Sequence, residues 1–363
     1  MRIAQIAPLI ESVPPRRYGG TERIVSYLTE ELVRAGHDVT LFASGDSLTA
    51  ADLAPMCEMG LRLSPVAVDP VLHHLIMLEE VRRRADEFDV IHLHVDLLQF
   101  SVLREHRGRC LTTLHGRLDL PAAHRLYATY DDFPLVSISD HQRLPMPPVN
   151  WAGTVLHGLP ADLLPFSPHP AGYLAFLGRI SPEKRPDRAI AMAAKAGRRL
   201  KIAAKVDAAD EPYWQGVIKP LVEASPNVEF IGEIDERQKA AFLGGADALL
   251  FPIDWPEPFG LVMIEAMSCG TPVIAFPCGS VPEVLQDGVT GYLVTSVEEG
   301  AARVADIARL DRARIRRIFE RRFSAERMAR DYVALYERIA ASDAARVPRR
   351  RQRALIGSSN VAL

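Results

Sequence analysis

Residues Leu249–Glu283 read LLFPIDWPEPFGLVMIEAMSCGTPVIAFPCGSVPE. A buried strand, Ala248–Pro252, breaks at Pro252, Pro256 and Pro258. A helix starts near Phe259–Gly260, stops at Gly270, and hands the chain to a second strand at Thr271–Phe276. Strand, irregular loop, helix and strand in that order make one unit of a parallel α/β sheet. The loop between strand and helix then lies at the carboxyl end of the sheet, where open α/β sheets bind ligands.

Two acids stand out in this stretch. Glu257 sits in the proline-broken loop, and Glu265 sits among Leu261, Val262, Met263, Ile264, Ala266 and Met267. A helix apolar on nearly every side is buried on nearly every side. A carboxylate there is costly unless paired or hydrogen-bonded. Glu265 therefore lies on a narrow exposed strip, in a salt bridge, or against a polyhydroxyl ligand. Glu257 is either a plain first-turn acid favoured by the helix dipole or a ligand-binding group.

The 363 residues suit two domains of about 100–200 residues each, and a hydrophobic content of 48% gives both a core. The formal net charge of −3 argues against nucleic acid as the main partner. Cys57, Cys110, Cys269 and Cys278 show no CxxC spacing. They read as buried thiols of a reducing cytoplasm, not as a disulfide or zinc framework. The apolar run in MRIAQIAPLI is too short for a signal peptide and reads as a first strand. No run approaches the length of a membrane span.

Along the chain, strand Arg2–Ala7 leads through a loop with Pro14, Pro15, Arg16 and Arg17 to Gly19–Gly20. Thr21 is placed to cap a helix ending at Ala35, with Gly36 as its stop and His37–Ala43 as the next strand. No GxGxxG is present, which removes the main support for a dinucleotide dehydrogenase. Two glycines ahead of a helix let backbone amides approach an anion; isolated, they would make only a tight turn. His92 and His94 alternate along strand Val90–His94 and share one face, but a metal pair there lacks a third ligand. His115–Gly116 ends strand Cys110–Leu114, bonded to a neighbouring carbonyl or placed at a ligand. Phe166–Gly172 reads as an interdomain linker, and a second alternation starts at Tyr173–Leu177. Its first loop is GRISPEKRPD, 178–187, where Ser181 can cap a helix with Pro182 in the first turn. Arg179 and Lys184 reach one anion there or form a solvated basic loop. Further on, Arg312, Arg314, Arg316, Arg317, Arg321 and Arg322 make one helical face basic, either solvated or against anionic lipid. Residues 347–363 read as a disordered tail.

EPFGLVMIEAMSCGTPVIA, followed by GSVPEVLQDGVTGYLV, resembles the donor-site signature of retaining GT-B glycosyltransferases of family 4, the group 1 glycosyltransferases. That signature has two glutamates separated by seven residues, CGTPVIA, a Gly-rich turn, a Glu and G-x-T-G-[FY]-L. Ser280 departs from it where a second glycine is common. GGTERIV is similar to the family's GG-x-E-x-x-V loop, and GRISPEKRPD to its G-R-[ILV]-x-x-x-K-x-x-D. The resemblance implies an α/β GT-B fold, two Rossmann-like domains facing each other across a cleft. An acceptor domain would span 1–165 and a donor domain 172–322, with a closing helix at 323–341 packing back toward the first. The sugar of a nucleotide-diphosphate sugar would pass to an acceptor with retention of anomeric configuration.

The resemblance also assigns residues. Arg179 and Lys184 fall on the donor diphosphate, Gly19 and Gly20 near the donor phosphate and the acceptor. His115 and Glu257 fall near the donor sugar, and Glu265 on the ribose. Phe259, Gly260 and Leu261 complete the donor-binding set, and His115, Glu257, Arg179 and Lys184 form the catalytic set. Cationic side chains and helix amides would meet the charge of the leaving diphosphate, so no metal and no cofactor are expected. UDP-glucose is the donor expected from its frequency in the family. His157–Gly158 replaces the usual Asn-Gly, and no role is carried over to it. The acceptor is a saccharide, a lipid-linked molecule or a small metabolite, for which loops such as Ser12–Tyr18 carry no code. A cytoplasmic protein is expected, with the basic C-terminal region as a peripheral contact to the inner membrane face.

Other functions suit the same architecture. A sugar-nucleotide epimerase or a phosphorylase would change the reaction, although a phosphorylase would carry a pyridoxal lysine and a longer chain. A non-catalytic sugar-nucleotide sensor would lose some site residues, whereas Arg179, Lys184, Glu257 and Glu265 are all present. Donor hydrolysis measured with and without acceptor separates the three.

Overall fold

The structure, a computed structural model, describes residues 1–16, 19–66 and 69–357, with side chains as far as Asp343. Arg17 and Tyr18 of the expected acceptor loop lie outside the described residues, as do 358–363 of the expected tail. The chain divides into two compact units. The first holds Met1–Ile138, Pro145–Val155 and the chain from Met328 onward; the second holds Ser139–Leu144 and Leu156–Arg327.

Unit one carries seven strands: β1 Arg2–Ile6, β2 Asp38–Ser44, β3 Asp52–Cys57, β4 Val90–Leu93, β5 Cys110–Thr113, β6 Leu135–Ser137 and β7 Trp151–Thr154. They form one parallel sheet in the order β3-β2-β1-β4-β5-β6-β7. β3 was not anticipated, because Pro55 weakens a strand signal. The strand lies at the sheet edge, where a missing backbone donor is tolerated. β4 and β5 are buried along their whole length, as expected for parallel strands covered on both faces. Ile6, Phe42, Leu93, Phe100 and Phe133 lie in the core of this unit.

Unit two carries six: β8 Tyr173–Arg179, β9 Leu200–Lys205, β10 Val228–Gly232, β11 Ala246–Phe251, β12 Val273–Ala275 and β13 Gly291–Leu293. They form a parallel sheet in the order β10-β9-β8-β11-β12-β13 over a core that includes Leu174, Phe176, Ile202, Leu250 and Ile274. Fully burying a side chain of that size stabilises by about 1.5–3 kcal/mol. Gly291 has no room for a side chain: a Cβ there would sit 1.9 Å from the Val273 carbonyl oxygen. Phe166–Gly172, read as a linker, lies inside this unit. Ser167 N–H donates to Cys269 O (3.0 Å) and Ala171 N–H to Gly245 O (2.7 Å).

The arginines at 312–322 do not form one basic face. Along helix Arg312–Phe323, Arg312 donates to the carbonyls of Ser167, Gly244 and Ala246 and to Thr271 Oγ1. Arg316 donates to Leu164 O and Ser268 O, and Arg322 to Glu283 O. These three staple loop backbones within unit two, while Arg314, Arg317 and Arg321 are exposed. The last helix runs Ala325–Gly357, so backbone that was read as tail from Val347 is helical as far as Gly357. Among the described residues no helix is long and apolar enough to cross a membrane.

Candidate active site

Each sheet has one place where strand order reverses, between β1 and β4 in unit one and between β8 and β11 in unit two. A crevice opens beyond the carboxyl ends of the strands at such a switch point. In unit two, Arg179 is the last residue of β8, and the quoted loop follows β11. The loops are tied by Asp254 N–H donating to Glu183 O at 2.8 Å.

Arg179 stands among acids: it pairs with Glu183, with Asp210 at 3.3 Å and with Asp207 at 3.8 Å. Its side chain is 32% exposed, so these pairs are water-screened and individually weak. Ser181 does not cap the long helix as expected. A single 3-10 turn, Pro182–Lys184, intervenes, and the helix begins at Pro186. Arg185 turns the chain between them in the left-handed region, φ 53°, with its guanidinium on Asp187 and Asp254.

Lys184 ion-pairs with Glu257, and the two side chains are only 20% and 10% exposed. Trp255 completes the group. Its indole N–H donates to Glu257 Oε2 at 3.0 Å, and the Lys184 ammonium lies 4.7 Å from its ring centroid. The loop is held from below by the next turn. Ser280 N–H donates to Glu257 O at 2.9 Å and Ser280 Oγ to Phe259 O at 2.9 Å. Ser280, the departure from the family pattern, thus fastens the loop that carries Glu257. Gly279 beside it must be glycine, since a Cβ would lie 2.3 Å from the Glu257 nitrogen.

Gly260 takes φ 80° and opens helix Leu261–Ser268 with no side-chain cap on its first turn. Phe259 is buried, with the ring of His157 4.9 Å away. Glu265 is 4% exposed and accepts from Lys239 Nζ at 2.7 Å. Of the three readings of this acid, the exposed strip is thus ruled out and the salt bridge is present. Lys239 comes from helix Glu236–Gly244, which Asp235 opens with a capping box.

In unit one, Gly19 is the N-cap of helix Gly20–Arg34, and Thr21, expected as the cap, lies inside the helix. A side chain at Gly19 would strike Pro15 at 2.8 Å. Glu22 in the first turn is buried, and that burial raises its carboxyl above the ordinary range. His115 follows β5 and is half-buried, with Nε2 2.9 Å from His94 Nδ1. Arg179, Lys184, Glu257, Phe259, Gly260, Leu261 and Glu265 thus belong to unit two, and Gly19, Gly20 and His115 to unit one. The sequence reading missed Trp255, Lys239 and His94 as partners. Trp255 was within reach of it, two residues before Glu257. Among the described residues no three His, Cys, Asp or Glu side chains converge as a metal site.

Comparison with known proteins agrees with this geometry. The model of the family "Glycosyltransferase Family 4" matches residues 18–135, and that of "Glycosyl transferases group 1" matches 166–321. The phosphatidyl-myo-inositol mannosyltransferase of Mycobacterium leprae (strain TN) is 27% identical over 94% of this chain and 98% of its own. The crystal structure of AviGT4, a glycosyltransferase involved in avilamycin A biosynthesis, is 25% identical with a TM-score of 0.66, covering 94% of this chain and 98% of that one. Anabaena Alr3699/HepE in complex with UDP shares the fold at 18% identity and a TM-score of 0.68, covering 92% of this chain and 99% of that one. With the two family models matched in chain order over most of its length, and with two parallel α/β sheets like those of GT-B glycosyltransferases, the chain belongs to the GT4-type group 1 glycosyltransferases.

Proposed function

We propose that this glycosyltransferase moves a hexosyl group from a nucleoside-diphosphate sugar, UDP-glucose first among donors, to an acceptor hydroxyl with retention of configuration and without a metal. The observation that carries this reading is the Lys184–Glu257 pair under Trp255 at the β8/β11 switch point, with Arg179 ending β8 beside it. Each cation rests on carboxylates. A diphosphate offers a stronger anion to both, and the weak pairs of Arg179 are readily exchanged. Moving Lys184 from Glu257 to phosphate releases that carboxylate to accept sugar hydroxyls. The same binding step thus prepares the diphosphate clamp and the sugar contact. As the glycosidic bond breaks, negative charge grows on the leaving phosphate, where preorganised cations lower the barrier. Glu265 takes the ribose hydroxyls.

The UDP-bound relative supports a uridine nucleotide. The mannosyltransferase relative makes a mannosyl donor the main competitor. Acceptors to be tried are a lipid-linked molecule, a saccharide and a small polyol. A panel of nucleotide sugars, assayed in EDTA with these acceptors, tests the reading, and NMR of the product gives its anomeric configuration. Transfer with retention in EDTA is expected. An inverted product, or activity restored only by Mn²⁺ or Mg²⁺, would sink it. Donor turned over to an epimer without any acceptor would favour the epimerase.

A further inference from the structure

A loop broken by prolines has few donors with which to hold itself. Pro256 and Pro258 lack a backbone N–H, and the Glu257 N–H donates within the loop, to Trp255 O at 2.8 Å. Much of what fixes this loop must then reach its carbonyls from outside. Three consecutive carbonyls are held in this way. Glu257 O accepts from Ser280 N–H and Phe259 O from Ser280 Oγ, both at 2.9 Å. Pro258 O, between them, accepts from Ser139 Oγ at 2.7 Å. Glu257, Pro258 and Phe259 are buried, and Ser139 and Ser280 are fully so. A buried carbonyl that loses its donor is left with the full cost of its desolvation.

Ser139 stands 119 residues before Pro258. It opens segment Ser139–Leu144, which lies between β6 and β7 in the sequence but belongs to unit two. Its hydroxyl has a direction. Oγ accepts from Gln142 N–H at 3.2 Å, and a carbonyl oxygen only accepts, so the hydroxyl hydrogen goes to Pro258. The Glu283 carboxylate holds the rest of the turn, Oε2 accepting from Asp140 N–H at 2.8 Å and Oε1 from His141 N–H at 2.7 Å. Glu283 N–H donates in turn to Ser280 O at 2.9 Å. The two serines that grip the loop are thus fastened to each other through Glu283.

We propose that Ser139 and Glu283 are positioning residues for Glu257. Ser139 fixes the backbone of Glu257–Phe259, and Glu283 fixes Ser139. The Glu257 carboxylate then keeps its place when Lys184, its ion-pair partner, turns to the diphosphate. The consequence for transfer rests on the reading above that Glu257 accepts sugar hydroxyls. The fixing of the loop does not.

The test uses the full chain with 5-fluorotryptophan at its three tryptophans, read by ¹⁹F NMR, with Trp255 assigned by Trp255→Phe. The Trp255 indole N–H donates to Glu257 Oε2, so its signal reports on the loop without donor or turnover. Ser139→Ala should shift or broaden that signal and leave those of Trp151 and Trp214 in place. It should lower kcat by up to about a hundredfold, the scale of a misplaced reacting group. The Kd for UDP, which carries no sugar, should stay as in wild type. Ser139→Thr keeps the hydroxyl and should return signal and rate toward wild type. Ser296→Ala removes the hydroxyl that caps helix Val297–Arg303, elsewhere in unit two, and should change neither. An unmoved Trp255 signal in Ser139→Ala overturns the proposal, and so does an equal change in Ser296→Ala. Should Ser139→Ala not fold, Glu283→Gln decides by the same signal, because it puts an amide where one accepting oxygen stood. A moved Trp255 signal with wild-type kcat supports the positioning and overturns the sugar-contact reading of Glu257.

Discussion

At the residue scale, the two glutamates of the quoted stretch differ in what already holds them. Glu257 is tied to Lys184 and Trp255, both in its own crevice. Glu257→Gln keeps an oxygen for the Trp255 N–H and leaves Lys184 available to phosphate, so UDP should bind at least as well while transfer falls. Glu265→Gln removes charge from a group assigned to ribose, at about 1.5–3 kcal/mol for a hydrogen bond to a charged group, roughly tenfold or more in Kd. Calorimetry with UDP beside transfer rates checks both, and equal binding losses would refute the division. Because Glu265 also binds Lys239, Lys239→Met is the needed control. It breaks the same pair yet leaves the carboxylate, and UDP affinity should fall less than in Glu265→Gln. The burial of Glu265 was legible from its apolar neighbours. Lys239 was not, since it lies 26 residues away on another helix and only the packed fold joins them.

Elements show where local pattern misleads. Six arginines within 312–322 read as one charged face, yet the helix turns three of them toward backbone carbonyls of unit two, to which they donate. Arg312→Leu should lower stability by about 1.5–3 kcal/mol. Arg314→Leu and Arg317→Leu should stay within about 0.5 kcal/mol, as exposed substitutions do. Urea unfolding distinguishes them, and equal effects would contradict the inward role of Arg312. Many individual strands and helices were readable because parallel strands are short apolar runs with glycine and proline between them, whereas their order in the two sheets came only with the structure. β3 escaped because of its proline, and the contact of His115 with His94 escaped because the two residues lie on separate segments of the chain. β4 carries a pH consequence. His92 is depressed by burial and then by the nearby His115, so the unfolded chain binds the proton that the folded chain refuses. Stability is full above the unfolded value, about pH 6.5, and falls as pH drops below it toward the folded value. The melting temperature should decline between about pH 7 and 5, less steeply in His92→Gln. A variant with the wild-type slope would place the acid sensitivity elsewhere.

For the whole molecule, the sequence reading expected one linker between two domains, but the units interleave. Segment Ser139–Leu144 belongs to unit two, where Glu283 accepts from the amides of Asp140 and His141 at 2.8 and 2.7 Å. A cap formed between residues more than 140 positions apart leaves no local signature in the chain. Arg179, Lys184 and Glu265, expected at the diphosphate and the ribose, lie in unit two with Glu257, whereas His115 and the glycines 19–20 lie in unit one. Hydrogen exchange read by mass spectrometry turns this into a test. Saturating UDP, which lacks the sugar, should slow exchange in peptides spanning 178–186 and 254–266, because ligand stabilises the segments it contacts. Peptides across β4 and β5 should change little, since their partners are side chains and strands of unit one. UDP-glucose should add protection around His115 that UDP does not give. Should UDP protect only β4 and β5, the nucleotide would belong to unit one, and the roles of Arg179, Lys184 and Glu265 would have to be withdrawn together.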